Sequence, residues 1–399
     1  MKILLIHHFP GVGGGTISAL DLARMLKQLG HEVTLAVPTP CQMIKDSCKD
    51  IDVDLCSVVR PPLFTYHNAS SSFAKCSVKY LISLKATEYW RDFLMKVKPE
   101  MVILNSSPMA TLSGLLNKMG IPCICFVRET FRQHGNKLAN TILRNMIGRC
   151  DMALYLTEFD KRSWNTKNTL QEVMPDVVDE YRYKKHKTEE IQSFRFNQGL
   201  NKEIKYILYL GGISKPKGSL DLLKAYRLIS TKHNNIGLIV LGNTYNGNTI
   251  SKFFSITHSG EAYYVKECRK ILDELKHENK PIKEIGIVDD PSFWYEVSDV
   301  VVFPVNLVHQ PRPAYEAGYY SKPIVLPKLE NFMEYVENGL NGFLYNKNDE
   351  NDLAEKLVLS MEGNNSLEVG RANQIRYEKT HSFKVGVNIL EKCIKSLKG

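Results

Sequence analysis

The chain has 399 residues, enough for two or three domains of about 150 residues each, and each half can bury its own core. With 43% hydrophobic and 24% charged residues, it is neither disordered nor collagen-like nor a coiled coil. A net charge of +9 favours an anionic neighbour, whether nucleic acid, an acidic membrane surface or a phosphorylated ligand, and nine scattered cysteines without a Cys-x-x-Cys fit a reducing cytoplasm rather than a disulfide framework or a zinc site.

Residues 3–6 are a short apolar run, the pattern of a buried strand, and too short to serve as a signal peptide. No apolar stretch approaches the roughly 20 residues that span a bilayer, so membrane contact is expected to be peripheral, on the cytoplasmic face. A loop carrying Gly13-Gly14-Gly15 follows, then a helix with Ile17, Leu20, Leu22, Ala23, Leu26 and Leu29, a stop at Gly30-His31 and a second strand at 32–37. Further strands are expected at 101–104, 123–127 and 152–156, with a helix around 112–119. This alternation predicts a doubly wound parallel sheet.

Between these elements, residues 75–98 combine Lys75, Lys79, Lys85, Arg91, Lys96 and Lys98 with a helical apolar stripe of Val78, Leu81, Ile82, Tyr89, Phe93 and Val97. A second basic stretch runs through Arg128, Arg132, Lys137, Arg144 and Arg149. Such a helix lies on anionic lipid or packs on the core with a solvated face. No recognition helix, zinc finger or stacking platform accompanies the charge, so nucleic acid is not an expected partner.

After a polar, lysine-rich and aromatic stretch at 181–205, the pattern restarts with a strand at 206–210, a glycine-rich loop at 211–218, and a helix carrying Leu220, Leu222, Leu223, Tyr226 and Leu228. Strands at 236–241, 300–303 and 323–326 and a last helix at 385–397 complete the reading. The expected domains are 1–185 and 186–375, both Rossmann-like, with 376–399 a helix able to pack back on the first. In tandem α/β sheets of this kind, ligands are expected in a central cleft at the carboxyl ends of the strands.

Three segments carry the chemistry. Gly13-Gly14-Gly15, between a strand and a helix, can aim backbone amides at a diphosphate or can be a tight packing turn. It is not a dinucleotide fingerprint, because Thr16 stands where the third glycine belongs and Glu32 begins the second strand instead of ending it. Gly211-Gly212-Ile213-Ser214-Lys215-Pro216-Lys217-Gly218 places Lys217 just before a helix, against a phosphate or in solvent. His309-Gln310-Pro311-Arg312-Pro313-Ala314-Tyr315-Glu316 opens a helix on which Pro313 suits the first turn; there Glu316 can accept from a ribose diol and Arg312 can reach phosphate, or the two can be a surface pair. Asp52-Val53-Asp54 has the letters of a metal motif but no supporting ligands, and no metal is expected. In the first domain, Asn105, Ser106, Arg128 and Glu129 sit at strand ends, where ligands are expected; Arg128 and Glu129 can equally form a structural ion pair.

In this order and spacing the chain resembles, over nearly its whole length, the retaining glycosyltransferases of family 4, which have the two-lobed fold called GT-B. The resemblance rests on Gly13-Gly14-Gly15, Val173-Met174-Pro175-Asp176-Val177-Val178-Asp179, Lys217-Gly218, Asp299-Val300-Val301-Val302-Phe303-Pro304, Glu316-Ala317-Gly318, Lys322-Pro323-Ile324-Val325 and Asn341-Gly342. It implies a hexosyltransferase that moves a sugar, with retention and without a metal or other cofactor, from a UDP- or GDP-sugar to a polysaccharide or lipid-linked acceptor of the cell envelope. The implied donor site is Gly13, Gly14, Gly15, Gly212, Lys217, His309, Arg312 and Glu316, with Lys217, Arg312 and Glu316 carrying the chemistry. The chain departs from the family at Val308, where a second glutamate is usual, and at Gly212, where an arginine is usual; Arg312 resembles the replacement for that arginine in a polysaccharide-building branch. Other readings of the same fold are a nucleotide-sugar epimerase, a phosphorylase, or a non-catalytic partner subunit.

Overall fold

The computed structural model describes residues 1–11, 13–64, 73–131, 137–245, 260–308 and 310–397, with 260 and 261 as backbone only. The chain divides into two compact units, Met1–Val177 together with Phe383–Gly399, and Val178–Ser382. These divisions fall at Val177/Val178 and Ser382/Phe383, where the sequence reading placed them at 185/186 and 375/376.

Unit 1 is built on seven strands: β1 (Lys2–Ile6), β2 (Glu32–Val37), β3 (Asp54–Ser57), β4 (Met101–Leu104), β5 (Cys123–Val127), β6 (Met152–Tyr155) and β7 (Leu170–Val173). All pairings are parallel, in the order β3-β2-β1-β4-β5-β6-β7. Residues 101–104, 123–127 and 152–155 are wholly buried, which is why they read as unbroken apolar runs. Its helices are α1 (Gly14–Gln28), α2 (Gln42–Asp50), α3 (Phe73–Ser83), α4 (Ala86–Val97), α5 (Ser113–Lys118), α6 (Lys137–Ile147) and α7 (Glu158–Trp164). The stripe expected over 75–98 is thus two helices, parted by i→i+3 bonds from Lys85 N to Ile82 O and Thr87 N to Leu84 O. Trp90 and Leu94 of α4 are buried, but α3 buries only Cys76 among its described residues and leaves Leu81 and Ile82 each 63% exposed.

Unit 2 has six strands: β8 (Lys205–Tyr209), β9 (Ile236–Leu241), β10 (Ile282–Gly286), β11 (Val300–Val302), β12 (Ile324–Pro327) and β13 (Phe343–Tyr345), all parallel in the order β10-β9-β8-β11-β12-β13. Its helices are α8 (Thr188–Asn197), α9 (Ser219–Lys232), α10 (Gly260–His277), α11 (Ser292–Val297), α12 (Arg312–Tyr319), α13 (Glu330–Met333), α14 (Glu350–Met361) and α15 (Asn365–Thr380). The polar, lysine-rich and aromatic stretch at 181–205 contains α8, held by Phe194 stacked 4.6 Å from Phe293 and edge-on to Trp294. The last helix, α16 (Phe383–Ser396), belongs to unit 1, where Phe383, Val387, Leu390, Cys393 and Ile394 join the core formed by α1, β1 and β2.

In each sheet the order of strand addition reverses once, between β1 and β4 and between β8 and β11. The carboxyl ends of strands at such a reversal are where open α/β sheets hold ligands.

Candidate functional site

In unit 2 the chain leaves β8 through Gly211 and Gly212. Gly212 has φ +56, and a Cβ there would fall 2.4 Å from the Asn243 carbonyl oxygen, so this glycine lets the loop after β8 lie against the loop after β9. Gly212 N donates to Leu241 O at 2.8 Å and Ile213 N to Asn243 O at 2.7 Å. A short 3₁₀ turn, Lys215–Lys217, then ends at Gly218, whose φ is +70 and whose Cβ would meet Pro304 O at 1.7 Å. Only glycine allows this turn to press on the chain leaving β11.

The same contact brings Lys217 beside Glu316. Burial pushes the Lys217 ammonium below its ordinary range, and the charge of Glu316 opposes that shift. Lys217 has no hydrogen-bond acceptor or ion-pair partner for its ammonium among the described residues.

Glu316 lies on α12 and is only 5% exposed. Its Oε1 accepts from Tyr183 Oη at 2.6 Å and Arg312 Nε at 3.1 Å, and its Oε2 from Tyr295 Oη at 2.5 Å. Arg312 and Glu316 are therefore a largely buried pair one helical turn apart, not a surface pair. Helix α12 is seated through Gly318, where a Cβ would approach Tyr335 Oη and Tyr377 Cβ to 2.7 Å. Asn341 serves a turn, accepting from Glu337 N at 2.7 Å and donating to Tyr335 O at 3.0 Å. Lys322 donates to the carbonyls of Glu296 and Ser298 and is likewise structural. His309 lies outside the described residues.

In unit 1, Gly13 precedes α1, and Gly14 and Gly15 form its first turn. A Cβ at Gly14 would meet nothing within 4 Å, and one at Gly15 would touch His7 at an ordinary 3.5 Å. A polar chain fixes this loop. Thr16 Oγ1 donates to Gly11 O at 2.7 Å, His7 Nε2 lies 3.2 Å from Thr16 Oγ1, and Asn105 Nδ2 lies 3.2 Å from His7 Nδ1 and 3.1 Å from Gly15 O. Burial, with His8 and Arg128 nearby, pushes His7 down to about 3, so its imidazole is neutral near pH 7. With Thr16 donating elsewhere and Asn105 donating to Nδ1, the proton belongs on His7 Nε2.

Arg128, at the end of β5, donates to Ser18 Oγ at 2.6 Å and to both Asp176 oxygens at 2.6 and 2.8 Å. It forms a buried ion pair, but with Asp176, not with its neighbour Glu129. Glu129 accepts from Ser106 Oγ and from Ser107 N at 2.9 Å. Asp52 pairs with Lys27 at 2.8 Å, and Asp54 begins the edge strand β3.

The chain matches two family models in succession, Glycosyltransferase Family 4 over residues 12–180 and Glycosyl transferases group 1 over residues 190–377. Among solved structures, the Anabaena protein HepE in complex with UDP superposes with a TM-score of 0.79 at 16% identity, covering 99% of this chain and 100% of that one. Sucrose-phosphate synthase from Thermosynechococcus elongatus superposes at 0.73 with 14% identity, covering 99% and 98%. The chain is a glycosyltransferase of the GT-B type.

Two curated glycosyltransferases extend the comparison. The alpha-monoglucosyldiacylglycerol synthase of Acholeplasma laidlawii is 22% identical over 86% of this chain and 84% of its own length. The capsular polysaccharide biosynthesis glycosyltransferase CapM of Staphylococcus aureus is 28% identical over 37% of this chain; that match spans 34% of CapM. In this GT-B glycosyltransferase, sequence reasoning had missed the partners that hold the expected groups, namely Tyr183 and Tyr295 on Glu316, His7 and Thr16 beside the glycine loop, and Asp176 on Arg128. Asp176 was visible as a motif residue, whereas nothing in the local sequence marks either tyrosine.

Proposed function

We propose that this glycosyltransferase moves a sugar from a nucleoside-diphosphate donor, UDP- or GDP-linked, to a polysaccharide or lipid-linked acceptor with retention of configuration, and that unit 2 holds the donor. The observation that carries this reading is the convergence of Lys217, Arg312 and Glu316 where β8 and β11 adjoin, at the reversal of the sheet. Negative charge develops on the departing diphosphate as the glycosidic bond breaks. Lys217, whose ammonium has no hydrogen-bond acceptor among the described residues, and Arg312, aimed by Glu316, supply two cations to receive it. UDP bound to the HepE structure supports the donor class, and the lipid and capsule products in the relatives' names support the acceptor class. With no convincing nucleophile in the sequence, same-face attack by the acceptor is the proposed route to retention.

The test is transfer from UDP- and GDP-sugars by Lys217→Met and Glu316→Gln. The glutamine retains an acceptor for the buried tyrosine hydroxyls, which alanine would strand. Each variant is expected to lose about 100-fold or more in transfer with its thermal midpoint kept. Near-wild-type rates in both overturn the assignment. A second reading, a non-catalytic partner subunit, is motivated by Val308 in place of an acid. It predicts nucleotide binding without turnover by the purified chain until a partner subunit is added.

A further inference from the structure

A lysine on a loose loop samples many positions, whereas a cation that must meet a departing diphosphate has to be held in one. The turn that carries Lys217 is held by two buried tyrosines from separate elements. Tyr209, at the end of β8, is 1% exposed, and its Oη donates to the Lys217 carbonyl oxygen at 3.1 Å. Gly211 makes room for that ring, since a Cβ there would fall 2.0 Å from Tyr209 Oη. Tyr264, on α10, is 8% exposed, and its Oη accepts from Leu220 N at 2.8 Å, an amide that opens α9 and has no partner within the helix.

The second tyrosine also ties together the two ends of the turn. Its Oη lies 3.2 Å from Ser219 Oγ, which accepts from Ser214 N at 3.0 Å. Residues 214 and 219–220, before and after the turn Lys215–Lys217, are thus joined through one phenol, while the other grips the last carbonyl of the turn. On a further side Asn306 N, in the chain leaving β11, donates to Pro216 O at 3.3 Å. Burial pushes the Tyr264 hydroxyl up to about 12, so it is a neutral link and not a charge offered to phosphate. Helix α10 is itself fixed, because its Val265, Cys268 and Leu272 share a core with Leu222, Leu223 and Tyr226 of α9.

We propose that Tyr209 and Tyr264 are positioning residues for sugar transfer: their hydroxyls fix the backbone of the Lys217 turn and so set where its ammonium meets the donor diphosphate. This rests on the donor reading above. The test is a double-mutant cycle on the full chain, read as dissociation constants for UDP and GDP from thermal-shift titrations, which follow even weak binding. Tyr209→Phe and Tyr264→Phe, which remove a hydroxyl and keep the ring, are each measured alone and together with Lys217→Met. Alone, each is expected to weaken binding of the tighter nucleotide about fivefold or more. In the Lys217→Met background the same change is expected to stay within about twofold, since the lysine through which the hydroxyl acts is gone.

A tyrosine that only stabilises the fold weakens binding by the same factor in both backgrounds, and that result overturns the proposal. So does wild-type affinity in both single variants. Should Tyr264→Phe not fold, Ser219→Ala cuts the same link at its other end and takes its place in the cycle. Lys217→Met with wild-type affinity, or a wild-type chain that binds neither nucleotide, sinks the donor reading and this proposal with it. Lys217→Met that binds weakly while the tyrosine losses persist in its background leaves the donor reading standing and removes only the positioning role.

Discussion

Glu316 shows how much of a residue's chemistry is decided by its partners. A carboxylate offers about four acceptor positions, and three on Glu316 are taken by Tyr183, Tyr295 and Arg312. At most one position remains for a further donor without rearrangement, and the same carboxylate fixes the Arg312 guanidinium. His7 makes a testable case of burial. Its folded-state value near 3 lies below the ordinary 6.5, so the unfolded chain binds a proton that the folded chain refuses. The associated stability is complete above about pH 6.5 and lost as the pH falls toward 3, with a slope approaching about 1.4 kcal/mol per pH unit for one proton. Urea unfolding between pH 7 and pH 4.5 should therefore be steeper in pH for wild type than for His7→Gln, by close to one proton. Parallel curves would contradict the buried neutral imidazole.

At the scale of elements, two glycines that look alike in sequence do different work. Gly218 combines a left-handed backbone with a carbonyl where its Cβ would be, whereas Gly14 opens α1 with empty space around it. Gly218→Ala is expected to cost more than about 1 kcal/mol and to weaken UDP binding, because the Lys217 turn must leave Pro304. Gly14→Ala should hold or raise the thermal midpoint, since alanine is favoured over glycine in a helix by up to about 1 kcal/mol. A thermal-shift series on both variants, with and without UDP, reads these outcomes; an undisturbed Gly218→Ala would refute the packing argument. The strands that the sequence reading did not find, β3, β7, β10 and β13, are the four edges of the two sheets. Three of them, Asp-Leu-Cys-Ser, Leu-Gln-Glu-Val and Ile-Lys-Glu-Ile-Gly, mix polar with apolar residues because an edge is only partly covered, and the fourth is only three residues long.

At the scale of the whole molecule, the chain starts in unit 1, builds unit 2, and returns to unit 1 with α16. That helix supplies five buried side chains to the first core, each contributing about 1.5–3 kcal/mol as an upper estimate. Truncation after Ser382 is expected to lower or abolish the melting of unit 1 while UDP still shifts the transition of unit 2. Calorimetry on the truncated and full chains checks this, and identical traces would show α16 to be dispensable.

The sequence by itself determined two parallel α/β sheets, the order of the motifs and the helix on which Glu316 lies, because buried central strands and helical periodicity are written in neighbouring residues. Only the tertiary structure decided what those residues touch. Arg128 meets Asp176 across 48 positions, Asn105 meets His7 across 98, and Tyr183 meets Glu316 across 133. The parting of α3 from α4 and the exposure of Leu81 and Ile82 were equally hidden, since an apolar stripe is the same in sequence whether a core covers it or not. Hydrogen-bond partners, burial and the proton affinities that follow are set by which distant segments pack together, and no local propensity carries that information.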